Sequence, residues 1–388
     1  MRAARLFDQI AHQVEMERGL PSLAEVPLSF LDPHDMEDIL QGRYEEIGPQ
    51  PAPLPFAVLD LLPRTPVSVE VQTPAGIYVT GLRQLFVSSE RPEDDIDTQT
   101  ILAHAYLHAL QDQYFDLRGM KTLAQTTDER LALQALIEGD AMLVTALYRD
   151  DDLSSANWER LTDLIIEAEQ PGYTDGLTSH DAWVRLRRFP YTEGREFAAY
   201  FLEDGGWQSL NSCYGHPPRS TEQILHPSRF LGLDTPGEEP DQPSTVVVPD
   251  LGPVLGDGWQ LLLKDTLGEF AVRLYLQQAL PEKRASSMAD GWDGDTLVAW
   301  EGEEGRRLVV WRSVWDTNEE AAEFEEGVTL LIPQRHYPAQ PVEPPRGLPG
   351  RWWETGDGAV HLLRSARHVL LVRGPDTNSV VNTVGQLP

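Results

Sequence analysis

The chain has 388 residues, of which 41% are hydrophobic, so it can bury a sizeable core in two or three domains. Its formal net charge of −31 makes nucleic acid and anionic membrane surfaces poor partners. Cys213 is the single cysteine, which excludes an intrachain disulfide and a thiolate-rich metal site.

The sequence predicts a protein without a membrane span. No apolar run approaches the roughly 20 residues of a transmembrane helix. The N-terminal stretch MRAARLFDQIAHQVEMERGL is amphipathic and lacks the apolar core of a signal peptide. We therefore expect a cytoplasmic location for the chain as written, although an exported form trimmed of its signal would have the same sequence.

The first part of the chain, over residues 1–233, is predicted to be mostly helical with a small sheet. Apolar residues at helical spacing and N-cap residues mark the helices, and two strand-like runs on either side of Gly81-Leu82-Arg83 suggest a hairpin. The predicted helices are one carrying Leu6, Ile10 and Val14, one from Asp32 to Gly42, one through His104 with Asp97 as N-cap, one from Thr127 to about Tyr148 with a capping box at Thr126 and Glu129, one over 153–170, one stopped by Gly205 and Gly206, and a short one capped by Ser220. The predicted strands are Ile77–Thr80 and Gln84–Ser88, and residues 49–66 are predicted to be irregular.

Residues 234–250, DTPGEEPDQPSTVVVPD, are rich in proline and acid and are predicted to be a linker. The remaining residues 251–388 are predicted to form a smaller α+β domain of unknown role, with a ββα pattern that occurs twice. Its predicted elements are a helix over 266–280, paired strands over 296–303 and 306–315, a helix over 318–327, a hairpin over 360–363 and 368–373, and a helix over 376–384. The fold class is α+β.

The stretch from Ile101 to Leu117 carries the strongest functional pattern. His104 and His108 lie four residues apart, which places both imidazoles on one helix face. This is the spacing of H-E-x-x-H, the zinc-binding helix of many metallopeptidases. The second position is Ala105 rather than glutamate, so two possible ligands are present and the general base is missing.

A third ligand is available 30 residues further on. Glu138 interrupts the apolar pattern of the next long helix, and a buried carboxylate requires a metal, an arginine or a water as partner. Together with the two histidines it makes a His₂Glu set, which is a known catalytic zinc set. Asp112 and Asp140 could each orient a ligating imidazole. The alternative is that the histidine pair is structural and that both aspartates are ordinary solvated acids.

The segment LAHAYLHALQDQYFDL resembles the LAHE-x-x-HALQDQ-x-FDL signature of a bacterial and archaeal family of zincin-like metallopeptidases. The resemblance continues at ALIEGDA, FPYTEG, GGW and PPRSTEQILHP, and more weakly at GWDGD, so it covers most of the chain. It implies a zincin-like fold of the gluzincin type, a Zn²⁺ ion held by His104, His108 and Glu138, and a peptide or protein substrate.

Ala105 is the departure from that family. In an H-E-x-x-H peptidase the glutamate moves a proton from the metal-bound water to the leaving amine, and alanine cannot do so. The chain is then either a natural pseudopeptidase or an inactivated variant of a peptidase, and both remain open. The alternative function is a non-catalytic binding or assembly protein that reuses the zincin scaffold.

Other side chains are weaker candidates for the catalytic machinery. His226, with Glu222 four residues earlier, could stabilise an oxyanion, although a helix-terminal salt bridge is the simpler interpretation. Tyr191 and Tyr106 could line a cleft, or be core residues with one polar tip. The strand Gln84–Ser88 could be a sheet edge that binds an extended peptide.

Overall fold

In a computed structural model, the residues that the structure describes are 2–39, 53–62, 76–90, 92, 94–169, 181–232 and 240–387. They form a mixed α and β protein in which a helical part precedes a separate sheet. The predicted α+β class is confirmed at this level. The end of the helix predicted from Asp32, parts of the Pro-rich stretch and the start of the linker lie outside the described residues.

The helical part contains a small sheet and a set of packed helices. The strands are β1 (Leu28–Leu31), β2 (Gly76–Val79) and β3 (Gln84–Ser88). The helices are α1 (Arg2–Arg18), α2 (33–39), α3 (Pro53–Val58), α4 (Ile96–Phe115), α5 (Leu117–Leu123), α6 (Thr127–Asp150), α7 (Trp158–Glu169), α8 (Ala182–Gly215), α9 (Thr221–Leu225) and α10 (Pro227–Leu231).

The N-terminal helix α1 packs on α4 through the face that its spacing predicted. Ile10 and Val14 are buried in one apolar cluster with residues of α4 and β3, and Leu6 packs against the same cluster. The small sheet has the order β1-β3-β2, with β1 parallel and β2 antiparallel to β3. The hairpin prediction is confirmed. The prediction that Gln84–Ser88 is a peptide-binding edge is wrong, because that strand is central and paired on both sides.

The long helices α4 and α6 begin at side-chain caps. The N-cap of α4 is Asp95, whose carboxylate accepts from the backbone N–H of Thr98, so the prediction of Asp97 as cap is wrong. Asp97 lies in the first turn and forms an ion pair with Arg149 at 2.7 Å. The predicted capping box at the start of α6 is confirmed, since both of its reciprocal hydrogen bonds form.

Helix α6 runs through the centre of the helical part and crosses α8 at close range. A Cβ atom on Gly139 would lie 2.0 Å from the backbone oxygen of Gly194, so the two backbones touch where neither helix carries a side chain. By length and composition α6 could cross a membrane, but 83% of its most apolar window is buried inside the protein. It is placed as the core helix of a soluble protein would be.

Helix α8 continues past the two glycines that were predicted to stop it. Gly205 and Gly206 have non-helical backbone angles, and Gly206 has a φ of 66°. The chain resumes a helix immediately afterwards and reaches Gly215. The glycines therefore kink α8 rather than end it, which corrects the prediction and brings Asn211 and Tyr214 back against α1 and α6.

The C-terminal part is built on a seven-stranded antiparallel sheet with the order β4-β5-β6-β10-β9-β8-β7. Its strands are β4 (Gln260–Asp265), β5 (Trp292–Glu301), β6 (Arg307–Trp315), β7 (Ala339–Val342), β8 (Arg351–Thr355), β9 (Gly358–Ser365) and β10 (His368–Gly374). The helices are α11 (Gly252–Leu255), α12 (Gly268–Gln277), α13 (Glu282–Ala289), α14 (Asn318–Arg335) and α15 (Thr377–Val384). The ββα pattern does occur twice, as β5-β6-α14 and β9-β10-α15.

Alternate residues of each strand point to opposite faces of this sheet, and the two faces pack against different apolar cores. On β6, Val309 and Trp311 face the larger core, which includes α12 and α14, whereas Leu308 and Val310 face a smaller one that includes α15. The larger core also contains residues of α6 and α8, and Phe189 packs on Phe270 with 4.2 Å between ring centroids. The helical part and the sheet therefore share one apolar core.

The described end of the predicted linker runs along β5 without secondary structure. The backbone N–H of Ser244 donates to the backbone oxygen of Asp293, and the hydroxyl of Thr296 donates to the backbone oxygen of Val246. Val248 is buried against the smaller core. These residues 240–250 thus pack on the sheet, and the proposed domain limits at 233 and 251 stay predictions.

Candidate metal centre

Four side chains from three helices converge in the helical part. His104 and His108 project from α4, Glu138 from the middle of α6, and Glu169 from the last residue of α7. One ligand atom of each residue lies within 4.8 Å of the others. The structure therefore brings together the three residues predicted as ligands and adds a fourth candidate, Glu169, that the sequence did not reveal.

Five of the six distances between these atoms are close to the edge of a zinc coordination tetrahedron, and the sixth is within 4.8 Å. Oε2 of Glu138 lies 3.3 Å from Nε2 of each histidine, and Oε1 of Glu169 lies 3.5 Å from each. The two Nε2 atoms are 3.2 Å apart. Ligands at about 2.0–2.1 Å from a tetrahedral zinc ion are separated by about 3.3–3.4 Å, which is the edge of that tetrahedron. A divalent cation fits between the four atoms.

The hydrogen bond on the far side of His104 fixes its tautomer. Its Nδ1 lies 3.0 Å from the hydroxyl of Thr145, and that hydroxyl donates its own proton to the backbone oxygen of Ala141. The Thr145 oxygen can then only accept from the ring, so Nδ1 carries the proton. This leaves the Nε2 lone pair of His104 directed toward the other three ligand atoms, as metal ligation requires.

A similar argument fixes His108. Its Nδ1 lies 2.8 Å from Oε1 of Gln111. The amide nitrogen of Gln111 donates to the backbone oxygen of Ile137 and to Oδ2 of Asp140, so its oxygen is the atom that faces the ring. Nδ1 of His108 therefore carries a proton, and Nε2 is the nitrogen that faces the carboxylates. Two Nε2 atoms 3.2 Å apart require a proton or a metal cation between them.

The electrostatics of the cluster also favour a cation. Burial opposes the charged form of His108, but the Glu138 and Glu169 carboxylates outweigh burial and raise its pKa to about 10. The same histidines hold the pKa of Glu169 well below its ordinary value against the effect of burial. Oε2 of Glu138 is buried and has no hydrogen-bond partner. Because carboxylates that stabilise an imidazolium also stabilise a metal ion, the donor set fits a divalent cation.

Tyr191 is brought to the site, but its role is to hold Glu169. Its hydroxyl donates to Oε2 of Glu169 at 2.7 Å, which leaves Oε1 facing the histidines. Tyr106 points the other way, and its hydroxyl donates to Glu15 of α1. Ala105 is 3% exposed and belongs to the apolar cluster with α1. Its methyl group supplies no acid or base at the position where the family signature that the sequence resembles has glutamate.

The two aspartates predicted to orient the imidazoles do not contact them. Asp112 accepts from the hydroxyl of Tyr78 at 2.9 Å, so the prediction of a ring contact is wrong for this residue. Asp140 forms a buried ion pair with Arg18 and acts on His108 only through Gln111. Gln111, three residues beyond His108 on α4, contacts the ring of His108. Thr145, on the facing helix α6, contacts the ring of His104.

Glu222 and His226 lie away from this cluster, where α9 and α10 meet the sheet part. Glu222 pairs with Arg229 at 2.7 Å, and Arg229 also reaches Asp290. His226 pairs with Glu269 of α12 at 3.0 Å. Glu222 thus pairs within the helical part, whereas Arg229 and His226 contact acids of the C-terminal part, and neither Glu222 nor His226 contacts the His/Glu cluster. The prediction of an oxyanion role at the metal is therefore wrong, and the salt-bridge interpretation describes Glu222 better.

Comparison with known proteins assigns no activity. Residues 260–384 match a family model described as a domain of unknown function (DUF8575), which spans the sheet part from β4 to the end of α15. No curated protein and no solved structure matches the chain. The matched segment lies outside the helices that carry the His/Glu cluster, so the function of that cluster rests on its own geometry.

Proposed function

We propose that this chain is a metal-binding protein on a zincin-like scaffold, with one divalent ion, zinc in the first instance, held by His104, His108, Glu138 and Glu169. The observation that carries the proposal is the set of 3.2–3.5 Å separations between the nitrogen and oxygen atoms of these residues. Buried acids and histidines adopt such spacing when one cation satisfies all of them.

The arrangement of the surrounding elements supports the zincin-like assignment. Helix α4 carries both histidines and packs on the small sheet through an apolar cluster that contains Leu85 and Val87. The next long helix supplies Glu138, which is the gluzincin order of ligands along the chain that the sequence resemblance implies. The proposed scaffold comprises the helical part, and the sheet part closes its core from the other side.

We further propose that the centre is not an efficient peptidase. A bound zinc ion would polarise a carbonyl and lower the pKa of a water. Ala105 can neither take nor return the proton, and general acid–base catalysis contributes about 10²–10⁴-fold. Glu169 adds a second obstacle, because four protein ligands leave no position for water. Closed sites of this kind are typical of structural zinc.

The fourth ligand therefore favours a structural or assembly role over hydrolysis. A metal held by three helices would fix α4, α6 and α7 relative to one another, since each helix contributes at least one ligand. In this role the partner would be a peptide or protein that binds the scaffold without being cleaved. The hydrolytic alternative requires Glu169 to leave the metal, so the number of ligands distinguishes the two functions.

Metal analysis of the purified full-length protein tests the proposal. We expect one zinc per chain and, after replacement by Co²⁺, the intense visible absorption of a four-coordinate ion. His108→Ala and Glu169→Gln should each weaken binding, whereas His12→Ala, at an exposed position of α1, should not. Absence of any bound divalent metal in the wild-type protein would overturn the proposal. If metal affinity and the Co²⁺ spectrum are unchanged in Glu169→Gln, Glu169 is not a ligand and the metal keeps an open coordination position.

A further inference from the structure

We infer that the N-terminal helix α1 is a working part of the metal centre, because its last residue, Arg18, positions His108 through Asp140 and Gln111. The inference rests on the proposed function and adds a residue that makes no contact with the ligands. Arg18 and Asp140 are 122 positions apart in the sequence, and both are fully buried. Three side chains in series, those of Arg18, Asp140 and Gln111, thus connect α1 to the His108 imidazole.

The first link is a two-point ion pair. Nε of Arg18 donates to Oδ1 of Asp140 at 2.7 Å, and Nη2 donates to Oδ2 at 3.1 Å. Nη2 also donates to Asn211, and the guanidinium lies over the ring of Trp207, 4.6 Å from its centroid. Planar bidentate pairing fixes both the position and the rotation of the Asp140 carboxylate.

The second link orients the amide of Gln111. Oδ2 of Asp140 accepts from Nε2 of Gln111 at 3.1 Å and from the hydroxyl of Tyr214 at 2.7 Å. The amide nitrogen also donates to the backbone oxygen of Ile137. The Asp140 carboxylate and the Ile137 carbonyl both accept from the amide nitrogen, so the amide oxygen is directed at Nδ1 of His108. An inverted amide would put a donor against the ring and favour the tautomer that cannot bind metal through Nε2.

Arg18 matters because Asp140 would otherwise be a buried, unpaired charge. Without the guanidinium this carboxylate loses the bidentate partner that fixes its position and rotation, and Gln111 loses a fixed acceptor. His108 would still be present as a ligand, but its imidazole would no longer be held in the orientation that binds metal. Changes in such indirect partners typically weaken metal affinity about 10–100-fold.

Thermodynamic linkage makes the coupling reciprocal. If packing of α1 strengthens metal binding by some factor, the metal must strengthen the packing of α1 by the same factor. We therefore expect Zn²⁺ to slow hydrogen exchange of the α1 backbone amides, although α1 carries none of the four ligands. Exchange in α15, which packs on the far side of the sheet, serves as the internal control.

The test measures the Zn²⁺ dissociation constant by chelator competition in the full-length protein. Arg18→Met should weaken binding about 10–100-fold, and Arg18→Lys should recover part of it, since lysine restores charge but not the bidentate geometry. Arg5→Met, at an exposed position of the same helix, is the matched control. If Arg18→Met proves unfolded, Tyr214→Phe interrupts the same network while keeping the ring stacked on Phe115.

Three outcomes are distinct. Weaker binding by folded Arg18 or Tyr214 variants, with a shifted His108 tautomer in imidazole NMR spectra, supports the inference. Lower thermal stability with unchanged zinc affinity and tautomer would mean that Arg18 is only structural, and would overturn it. If the wild-type protein binds no zinc, the proposed function itself fails, and this inference fails with it.

Discussion

If the proposed site binds zinc, the ion should stabilise the folded protein by an amount set by its free concentration relative to its dissociation constant. The four ligand atoms come together only in the folded chain, because they belong to three helices spread over 66 residues from His104 to Glu169. A ligand that binds only the folded state contributes about 4.1 kcal/mol when its free concentration is 1,000 times its dissociation constant. Unfolding entropies of about 2.1 cal/mol/K per residue give about 0.8 kcal/mol/K for this chain. The expected rise in Tm is therefore about 5 °C.

Calorimetry of the wild-type protein and Glu138→Gln, each in chelator and in buffered free zinc, measures this shift. Glu138→Gln replaces a charged ligand whose Oε2 has no hydrogen-bond partner, so most of the zinc-dependent rise should disappear. Glu25→Gln removes the same charge at an exposed position and should keep the full rise. A zinc response that is equal in Glu138→Gln and wild type, or absent from both, would refute the reasoning.

Three further predictions concern catalysis, a buried acid and helix packing. Ala105→Glu alone should gain little peptidase activity, because Glu169 fills the fourth position at the metal. Ala105→Glu combined with Glu169→Ala should hydrolyse an unstructured protein about 10²–10⁴-fold faster than the wild type. Equal rates in the double variant and the wild type would show that another catalytic element is missing. Burial raises the pKa of Asp128 well above its ordinary value, and its Oδ2 has no hydrogen-bond partner. The folded state therefore holds this proton more tightly than the unfolded chain, and stability falls as pH rises above about 3.9. Asp128→Asn should lose less Tm than wild type between about pH 4 and about pH 7, and parallel curves would contradict the assignment. Gly139→Ala should lower the free energy of unfolding, measured in urea, by about 1–3 kcal/mol or more, since its Cβ would meet a backbone oxygen of α8 at 2.0 Å. Gly215→Ala has open space around it, so its free energy of unfolding should stay within about 0.5 kcal/mol of the wild-type value.

The elements that sequence reasoning placed correctly are those with local signals. A capping box spans only four residues, so Thr126 and Glu129 predict the start of α6 without information from the rest of the chain. The i,i+4 spacing of His104 and His108 guarantees that both rings share one helix face. Glu138 stood out because a carboxylate interrupts an apolar helix. These three residues do meet in the structure.

Errors arose where a local signal has two outcomes. The Gly205–Gly206 pair can end a helix or kink it, and packing of the following turns on α1 and α6 selected the kink. Either of two acids before α4 could cap it, and backbone geometry selected Asp95 over Asp97. A short apolar strand can lie at the edge or in the centre of a sheet, and the parallel pairing with β1 made Gln84–Ser88 central.

The sequence by itself determined the two helices that carry the histidine pair and Glu138, because helix periodicity and capping are properties of neighbouring residues. Only the tertiary structure decided that Glu169 completes the cluster, that Gln111 rather than Asp112 orients His108, and that Arg18 compensates the charge of Asp140. The physical reason is that a polar residue on a helix looks the same whether it faces water or a buried partner. Its role depends on what distant part of the chain packs against it, and no local pattern encodes that partner.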